Sequence, residues 1–149
     1  MVYVVDDAAD YRFLVQQVFK MFLPQYSLRL FADGMELIQL IEEHNAPTGV
    51  ELPKLILLDV DMPKLSGTQT LERLWQYPAW QSVPVVMMSN RVDDSFVSAC
   101  YERGARSFLL KPMGIDQLKQ VMTLLCQYWL DLNQLPSYSA TVGSTSPNR

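Results

Sequence analysis

The sequence predicts an α/β fold in which a doubly wound, five-stranded parallel sheet carries helices on both faces. Short apolar runs rich in Val, Ile and Leu alternate along the chain with segments that have the 3.6-residue apolar period of a helix. Most of these runs lack apolar–polar alternation, which is typical of strands buried on both faces. Alternation of such strands with helices favours a parallel sheet.

The strands are predicted from their apolar composition and from the loops that bound them. Residues 45–53 contain Pro47, Gly49 and Pro53, and they predict a long loop before the third strand. The five predicted strands are VYVV at 2–5, SLRLF at 27–31, LILL at 55–58, VPVVMM at 83–88 and SFLL at 107–110.

One helix is predicted after each strand. The first takes its apolar face from residues such as Phe13, Leu14 and Val18, and Pro24 ends it because proline cannot continue a helix. Gly104 ends the fourth. Asp10 and Asp93 are expected to cap the first and fourth helices. The predicted helices are 10–22, 34–43, 66–76, 93–103 and 115–133.

Composition excludes several classes of protein. A net charge of -4 and a pI of about 4.9 argue against a nucleic-acid partner. No apolar run approaches the roughly 20 residues of a membrane helix, so no membrane partner is predicted and the location is expected to be cytoplasmic. Cys100 and Cys126 are interpreted as reduced core thiols. One domain is predicted at 1–133, and the polar, aperiodic residues 134–149 are predicted to form a flexible tail.

Chemically useful side chains follow four of the five predicted strands. They are Asp6 and Asp7, Asp59, Ser89, and Lys111. The carboxyl ends of parallel strands meet at one edge of the sheet, where such folds bind ligands. Clustered carboxylates repel one another until a proton or a cation relieves them, and oxygen ligands without His or Cys favour Mg²⁺. A carboxylate can also accept a phosphoryl group, whose oxygens a lysine and a hydroxyl would hold.

The segment LILLDVDMP allows two chemistries. Asp59 could be the nucleophile and Asp61 the general acid of a haloacid-dehalogenase-type phosphatase, or Asp59 could take a phosphoryl group and keep it. In those phosphatases the metal-binding acid pair follows the nucleophile, whereas here Asp6 and Asp7 precede it. The order of the acids favours the second chemistry.

Residues 1–130 resemble the response-regulator receiver family of two-component signalling, whose fold is flavodoxin-like. The resemblance rests on VVDD with Asp6 and Asp7, LLDVDMPKLSG with Asp59, MMSN with Ser89, and GARSFLLKP with Lys111 and Pro112. It implies that Asp59 is the phosphoacceptor and that Asp7 and Asp59 bind Mg²⁺ directly. Asp6 would bind it through water and Asp61 through its backbone carbonyl. Lys111 would pair with phosphoryl oxygens, and the Lys111–Pro112 bond is expected to be cis.

Several positions near this site depart from the family pattern or modulate it. Asn90 stands where the family usually has a small residue, so it is expected to narrow access to the phosphoryl group. Phe108, at the family's switch position, is either a switch or plain core packing. Asp61 and Arg91 are expected to form an ion pair at the mouth of the site and to slow hydrolysis of the phosphorylated form.

The resemblance also implies partners. No output domain is predicted after the receiver, so a stand-alone regulator is expected to act by contact. Its phosphodonor would be a sensor histidine kinase or a histidine phosphotransfer protein, and its target another protein. Only self-phosphotransfer and autodephosphorylation are expected as activities. The competing class is an interaction module that no longer depends on phosphorylation. Surplus apolar residues on the last helix, including Leu124 and Leu130, predict a homodimer.

Overall fold

The computed structural model describes residues 1–43 and 51–134. Most of the predicted 45–53 loop and nearly all of the predicted 134–149 tail lie outside these residues. Within the described part, none of the helices has both the length and the apolar character needed to cross a bilayer.

The predicted α/β architecture is confirmed. All strands of the five-stranded sheet are parallel, in the order β2-β1-β3-β4-β5. The strands are β1 (Val2–Val5), β2 (Leu28–Phe31), β3 (Leu55–Asp59), β4 (Val85–Ser89) and β5 (Ser107–Leu110). The helices are α1 (Ala9–Phe22), α2 (Gly34–Glu43), α3 (Gly67–Leu74), α4 (Asp94–Glu102) and α5 (Ile115–Cys126).

The core lies on both faces of the sheet because successive strand residues point to opposite sides. Val4 packs in a cluster with buried residues of α1 and α5, whereas Val5 packs with residues of α2, α3 and α4. Every residue of β1, β3 and β4 is buried. Each buried aliphatic side chain contributes about 1.5–3 kcal/mol, so these central strands fix the fold and the positions of the groups at their ends.

Two of the predicted boundaries that differ from the structure involve other helical forms. The fourth strand was predicted at 83–88. In the structure a 3₁₀ helix at Pro78–Ser82 precedes it, and β4 begins only at Val85. The last helix was predicted to reach 133. It is α-helical to Cys126 and continues as a π-helical segment, Gln127–Leu132. Local apolar patterns do not distinguish these closely related helical forms.

The helix caps were predicted correctly in one case and wrongly in another. Asp93 caps α4 by accepting from the backbone N–H groups of Ser95 and Phe96. Asp10 does not cap α1, because the N-cap position falls on Ala8. The carboxylate that accepts from the backbone N–H of Ala8 is that of Asp6.

Two glycines allow close packing that no other residue would permit. Gly104, between α4 and β5, has φ of +103° and lies against the indole of Trp75. Gly67, at the start of α3, lies so close to the backbone of Asp59 and Val60 that a Cβ there would overlap it. The end of β3 is therefore held directly against α3.

Candidate functional site

The strand order reverses between β1 and β3, and in doubly wound sheets the ligand crevice opens at such a point. Asp6 follows β1, Asp59 ends β3, Ser89 ends β4 and Lys111 follows β5. All four are buried, although each carries a polar side chain. Since buried polar groups are costly, their collection at one edge of the sheet indicates a site.

Three carboxylates converge in this crevice. Asp6, Asp7 and Asp59 each place one oxygen within 4.8 Å of the others. Asp7 is exposed, and the other two are buried. Burial, together with the charge of Asp6, raises the pKa of Asp59 to about 7, while Lys111 acts in the opposite direction. In the absence of a cation, ionised Asp59 is thus an unfavourable group in the folded protein.

Lys111 supplies the positive charge of the site. Its Nζ atom lies 2.6 Å from Asp6 Oδ2 and 3.8 Å from Asp59 Oδ2. Apart from this ion pair, Asp6 Oδ2 is buried without a hydrogen-bond partner among the described residues. Because Asp6 belongs to a cluster of three carboxylates, the residues present fit a divalent cation with oxygen ligands.

Ser89 and Asp61 lie beside the carboxylate cluster. Ser89 Oγ donates to Asp61 Oδ2 at 3.4 Å and accepts from the backbone N–H of Arg91 at 3.2 Å. The Arg91 guanidinium lies 3.3 Å from Asp61 Oδ1, with side chains 74% and 46% exposed. The two side chains expected at the mouth of the site therefore meet there, in an exposed ion pair.

The remaining predicted positions lie around this pair. Asn90 is exposed. Phe108 is half-buried and contacts Phe96 of α4 edge to face, with ring centroids 6.0 Å apart. The same Phe96 ring also contacts Arg91, whose guanidinium carbon lies 6.0 Å from the ring centroid. Phe108 is thus part of the core on the α4 side, and its two interpretations remain open.

The expected cis bond before Pro112 is wrong for this structure, since no peptide bond among the described residues is cis. The two isomers of a bond preceding proline differ by only about 0.5–1 kcal/mol, so the surrounding contacts determine which one is present. Here the carbonyl of Pro112 accepts a hydrogen bond from Tyr11 Oη at 3.1 Å.

Sequence reasoning missed two site residues, Tyr11 and Arg12, in the first turn of α1. The Tyr11 ring is buried, with its centroid 4.2 Å from Lys111 Nζ. Burial, reinforced by the charge of Asp6, raises the pKa of Tyr11, so the phenol stays a donor. Arg12 donates from a guanidinium nitrogen to the backbone carbonyl of Asp6 at 2.8 Å. Tyr11 fits the helix period of α1, but nothing local indicates a partner about one hundred residues away.

Comparison with known proteins accounts for this arrangement. The chain matches the response regulator receiver domain over residues 2–123. It belongs to the response regulator receiver family. As a receiver domain, it is a phosphoacceptor of two-component signalling. The phosphatase interpretation of LILLDVDMP is therefore set aside.

Relatives share the receiver domain over most of their length. The chain is 29% identical to response regulator Rcp1 of Synechocystis sp. over 134 residues, which is 90% of each chain. The manganese-bound structure of Rcp1 superimposes with a TM-score of 0.75 at 27% identity, covering 91% of this chain and 98% of that one. The phosphorylated cyanobacterial phytochrome response regulator RcpA, at 24% identity, shares the fold with a TM-score of 0.79 over 91% of this chain and 97% of its own.

Proposed function

We propose that Asp59 is the phosphoacceptor of this receiver domain and that its donor is the phosphohistidine of a sensor histidine kinase or of a histidine phosphotransfer protein. The observation that carries this assignment is the position of Asp59. It is a buried carboxylate at the end of a central strand, within 4.8 Å of two other carboxylates and 3.8 Å from the Lys111 ammonium.

The proposed step is a displacement at phosphorus. One carboxylate oxygen of Asp59 attacks, a P–O bond forms, and the P–N bond to the donor imidazole breaks. The imidazole nitrogen keeps the electron pair and takes a proton from water. Lys111 holds one phosphoryl oxygen through its ammonium, and the Ser89 hydroxyl donates to another, so both stabilise the charge that develops in transfer.

The cation is proposed to be Mg²⁺, held by Asp6, Asp7, Asp59 and the backbone carbonyl of Asp61. When bound, it would neutralise charge on the carboxylates and on the transferred phosphoryl group. The oxygen-only ligand set supports a hard cation, and the manganese in the Rcp1 structure supports a divalent one. The residues of the chain orient the reacting groups, and self-phosphotransfer and autodephosphorylation would be its only activities.

Intact-mass measurement after incubation with acetyl phosphate and Mg²⁺ tests this assignment. The wild-type chain is expected to gain one phosphate-sized mass, which a chelator prevents. Asp59→Asn is expected to remain unmodified. Asp116→Asn is the matched control, because Asp116 is an exposed aspartate in the first turn of α5 and should leave the reaction unchanged.

Two results would contradict the proposal. Modification of Asp59→Asn at the wild-type rate would place the phosphoacceptor elsewhere. A wild-type chain that binds the cation but is never modified would favour the alternative, an interaction module that works without phosphorylation.

For output, we propose contact with a downstream protein and a homodimer through the end of α5 and the π-helical segment. Leu124, Tyr128 and Leu132 recur at four-residue intervals and are 58%, 52% and 70% exposed. Residues four apart share one helix face, so these side chains form an apolar stripe that a second copy would cover.

Sedimentation equilibrium measures this association. Leu124→Glu is expected to shift a dimer toward monomer, while Gln39→Glu, at an exposed position of α2 on the opposite side of the sheet, should not. A wild-type chain that stays monomeric at high concentration, with and without phosphorylation, would reject the dimer.

A further inference from the structure

The charged ammonium group of Lys111 is buried. Its side chain is 8% exposed and ends between Asp6 and Asp59, and the ammonium lies nearer to Asp6. A lysine side chain has four rotatable bonds, and the shorter ion pair draws its ammonium toward Asp6 rather than toward Asp59. In the proposed function the ammonium must serve the phosphoryl group on Asp59, so a third contact is needed to define its position.

Tyr11 provides that contact. The face of its ring lies 4.2 Å from Lys111 Nζ, and its hydroxyl donates to the carbonyl of the next residue, Pro112, at 3.1 Å. The side chain therefore touches Lys111 at the end of its chain and holds the backbone just beyond it. The ring itself is 6% exposed, so the interaction takes place away from bulk water.

The chemical character of the ring suits the reaction. A carboxylate in this position would compete with phosphoryl oxygens for the ammonium, and would add to the repulsion among Asp6, Asp7 and Asp59. An aromatic face attracts a cation through its quadrupole and carries no net charge. It can hold the ammonium in the site and still leave its N–H groups free for an incoming phosphoryl oxygen.

We propose that Tyr11 is a positioning residue for phosphoryl transfer, which acts by holding the Lys111 ammonium over the site with its ring and the Lys111–Pro112 backbone with its hydroxyl. This inference rests on the proposed function, in which Lys111 contacts the phosphoryl group. The plain alternative is that Tyr11 only fills the core between α1, α5 and the sheet.

A double-mutant cycle separates these two roles. Tyr11→Leu removes the ring and the hydroxyl, and the rate of phosphorylation by acetyl phosphate at saturating Mg²⁺ is measured by intact mass. A desolvated cation–π contact contributes a factor of about thirty, so Tyr11→Leu is expected to slow transfer by roughly ten- to thirtyfold. In a Lys111→Ala background it is expected to have no further effect, because the group through which Tyr11 acts is gone. Tyr11→Phe keeps the ring and should stay within about threefold of wild type.

A spectroscopic readout follows the contact itself. Lysine is isotopically labelled at its ε carbon for NMR, and the signal of Lys111 is assigned by its loss in Lys111→Arg. The chemical shift of this signal is expected to move upfield, because of the aromatic ring, in wild type and in Tyr11→Phe. The shift should vanish in Tyr11→Leu. Thermal unfolding of each variant confirms that the folded protein is being compared.

Each outcome decides for or against the inference. An equal slowing by Tyr11→Leu with and without Lys111 would show a purely structural role and overturn it. So would an unchanged rate in Tyr11→Leu, or the absence of any ring shift in wild type. Should the wild-type chain not be phosphorylated at all, the proposed function fails, and the ring shift still shows whether Tyr11 holds Lys111.

Discussion

Replacement of Asp59 by asparagine is expected to stabilise the metal-free protein at neutral and alkaline pH, although it removes the proposed phosphoacceptor. The pKa of Asp59 is raised from 3.8 to about 7, first by burial and then by Asp6. A carboxyl group with a raised folded-state pKa binds its proton more tightly in the folded protein than in the unfolded one. The free energy of unfolding therefore falls as pH rises from about 4 to about 7.

The size of the effect follows from the shift in pKa. Each pKa unit corresponds to about 1.4 kcal/mol, so three units give an upper limit of about 4 kcal/mol at about pH 8. At about pH 5 the same arithmetic leaves about 1–2 kcal/mol, since Asp59 is then protonated in the folded state. Because Asp7 is exposed, solvent screening lowers both values. Asparagine has nearly the same size, and the ion pair between Lys111 and Asp6 remains.

Urea unfolding in the presence of a chelator measures this difference. Asp59→Asn should exceed wild type in stability by a margin that widens from about pH 5 to about pH 8. Asp116→Asn, at an exposed site, should track wild type at both values. Equal stability of Asp59→Asn and wild type at the higher pH would refute the reasoning, as would a margin that does not change with pH.

Three further predictions concern the cation, the mouth of the site and the fold. Asp7→Asn should weaken Mg²⁺ binding in calorimetric titration by about tenfold or more, because a direct ligand is lost; unchanged affinity would remove that role. Arg91→Ala should speed loss of phosphate if its ion pair closes the mouth, whereas Asp61→Ala should slow it if Asp61 positions the water. Unchanged rates in both variants would show that neither side chain controls water entry. Because the ion pair is exposed, either substitution should change the free energy of unfolding by only about 0–1 kcal/mol. Gly104→Ala should cost about 2 kcal/mol or more in urea unfolding, since it adds an overlap to a left-handed backbone. Gly114 also has positive φ, but nothing lies near an added Cβ there, so Gly114→Ala measures the cost of the backbone conformation alone. Equal losses of stability in the two variants would show that the overlap with Trp75 contributes nothing.

The sequence predicts the convergence at the site because topology alone requires it. Once the strands are parallel, the residues that end β1, β3, β4 and β5 must lie at one edge, whatever the details of packing. The sequence alone therefore predicts that Asp6, Asp59, Ser89 and Lys111 lie together. The roles assigned to them stay predictions that the experiments above test.

Contacts that depend on how a helix is rotated about its axis were not predictable in this way. Tyr11 meets Lys111 only because α1 packs on the sheet with that side of its first turn toward β5. The apolar face predicted for the first helix included Phe13, which is 61% exposed, whereas the buried face carries Tyr11 and Val15. Helix periodicity therefore misjudged the rotation of α1 and could not show which strand Tyr11 reaches.

Asp10 lies two residues beyond the N-cap position, Ala8, and local patterns do not locate a helix start that closely. At the bond before Pro112, tertiary contacts choose between isomers of nearly equal energy.

The close approach of Gly67 to the backbone of Asp59 makes the two sides of the site differ in packing. Toward α3, the main chain of β3 has no space into which it could move, because backbone already touches backbone. On the other side, Asn90 and Arg91 are exposed, and the polar contacts of Arg91 with Ser89 and Asp61 are long, at 3.2 and 3.3 Å. If Asp59 is phosphorylated as proposed, the added group is expected to displace the exposed start of α4 more readily than the backbone that faces α3.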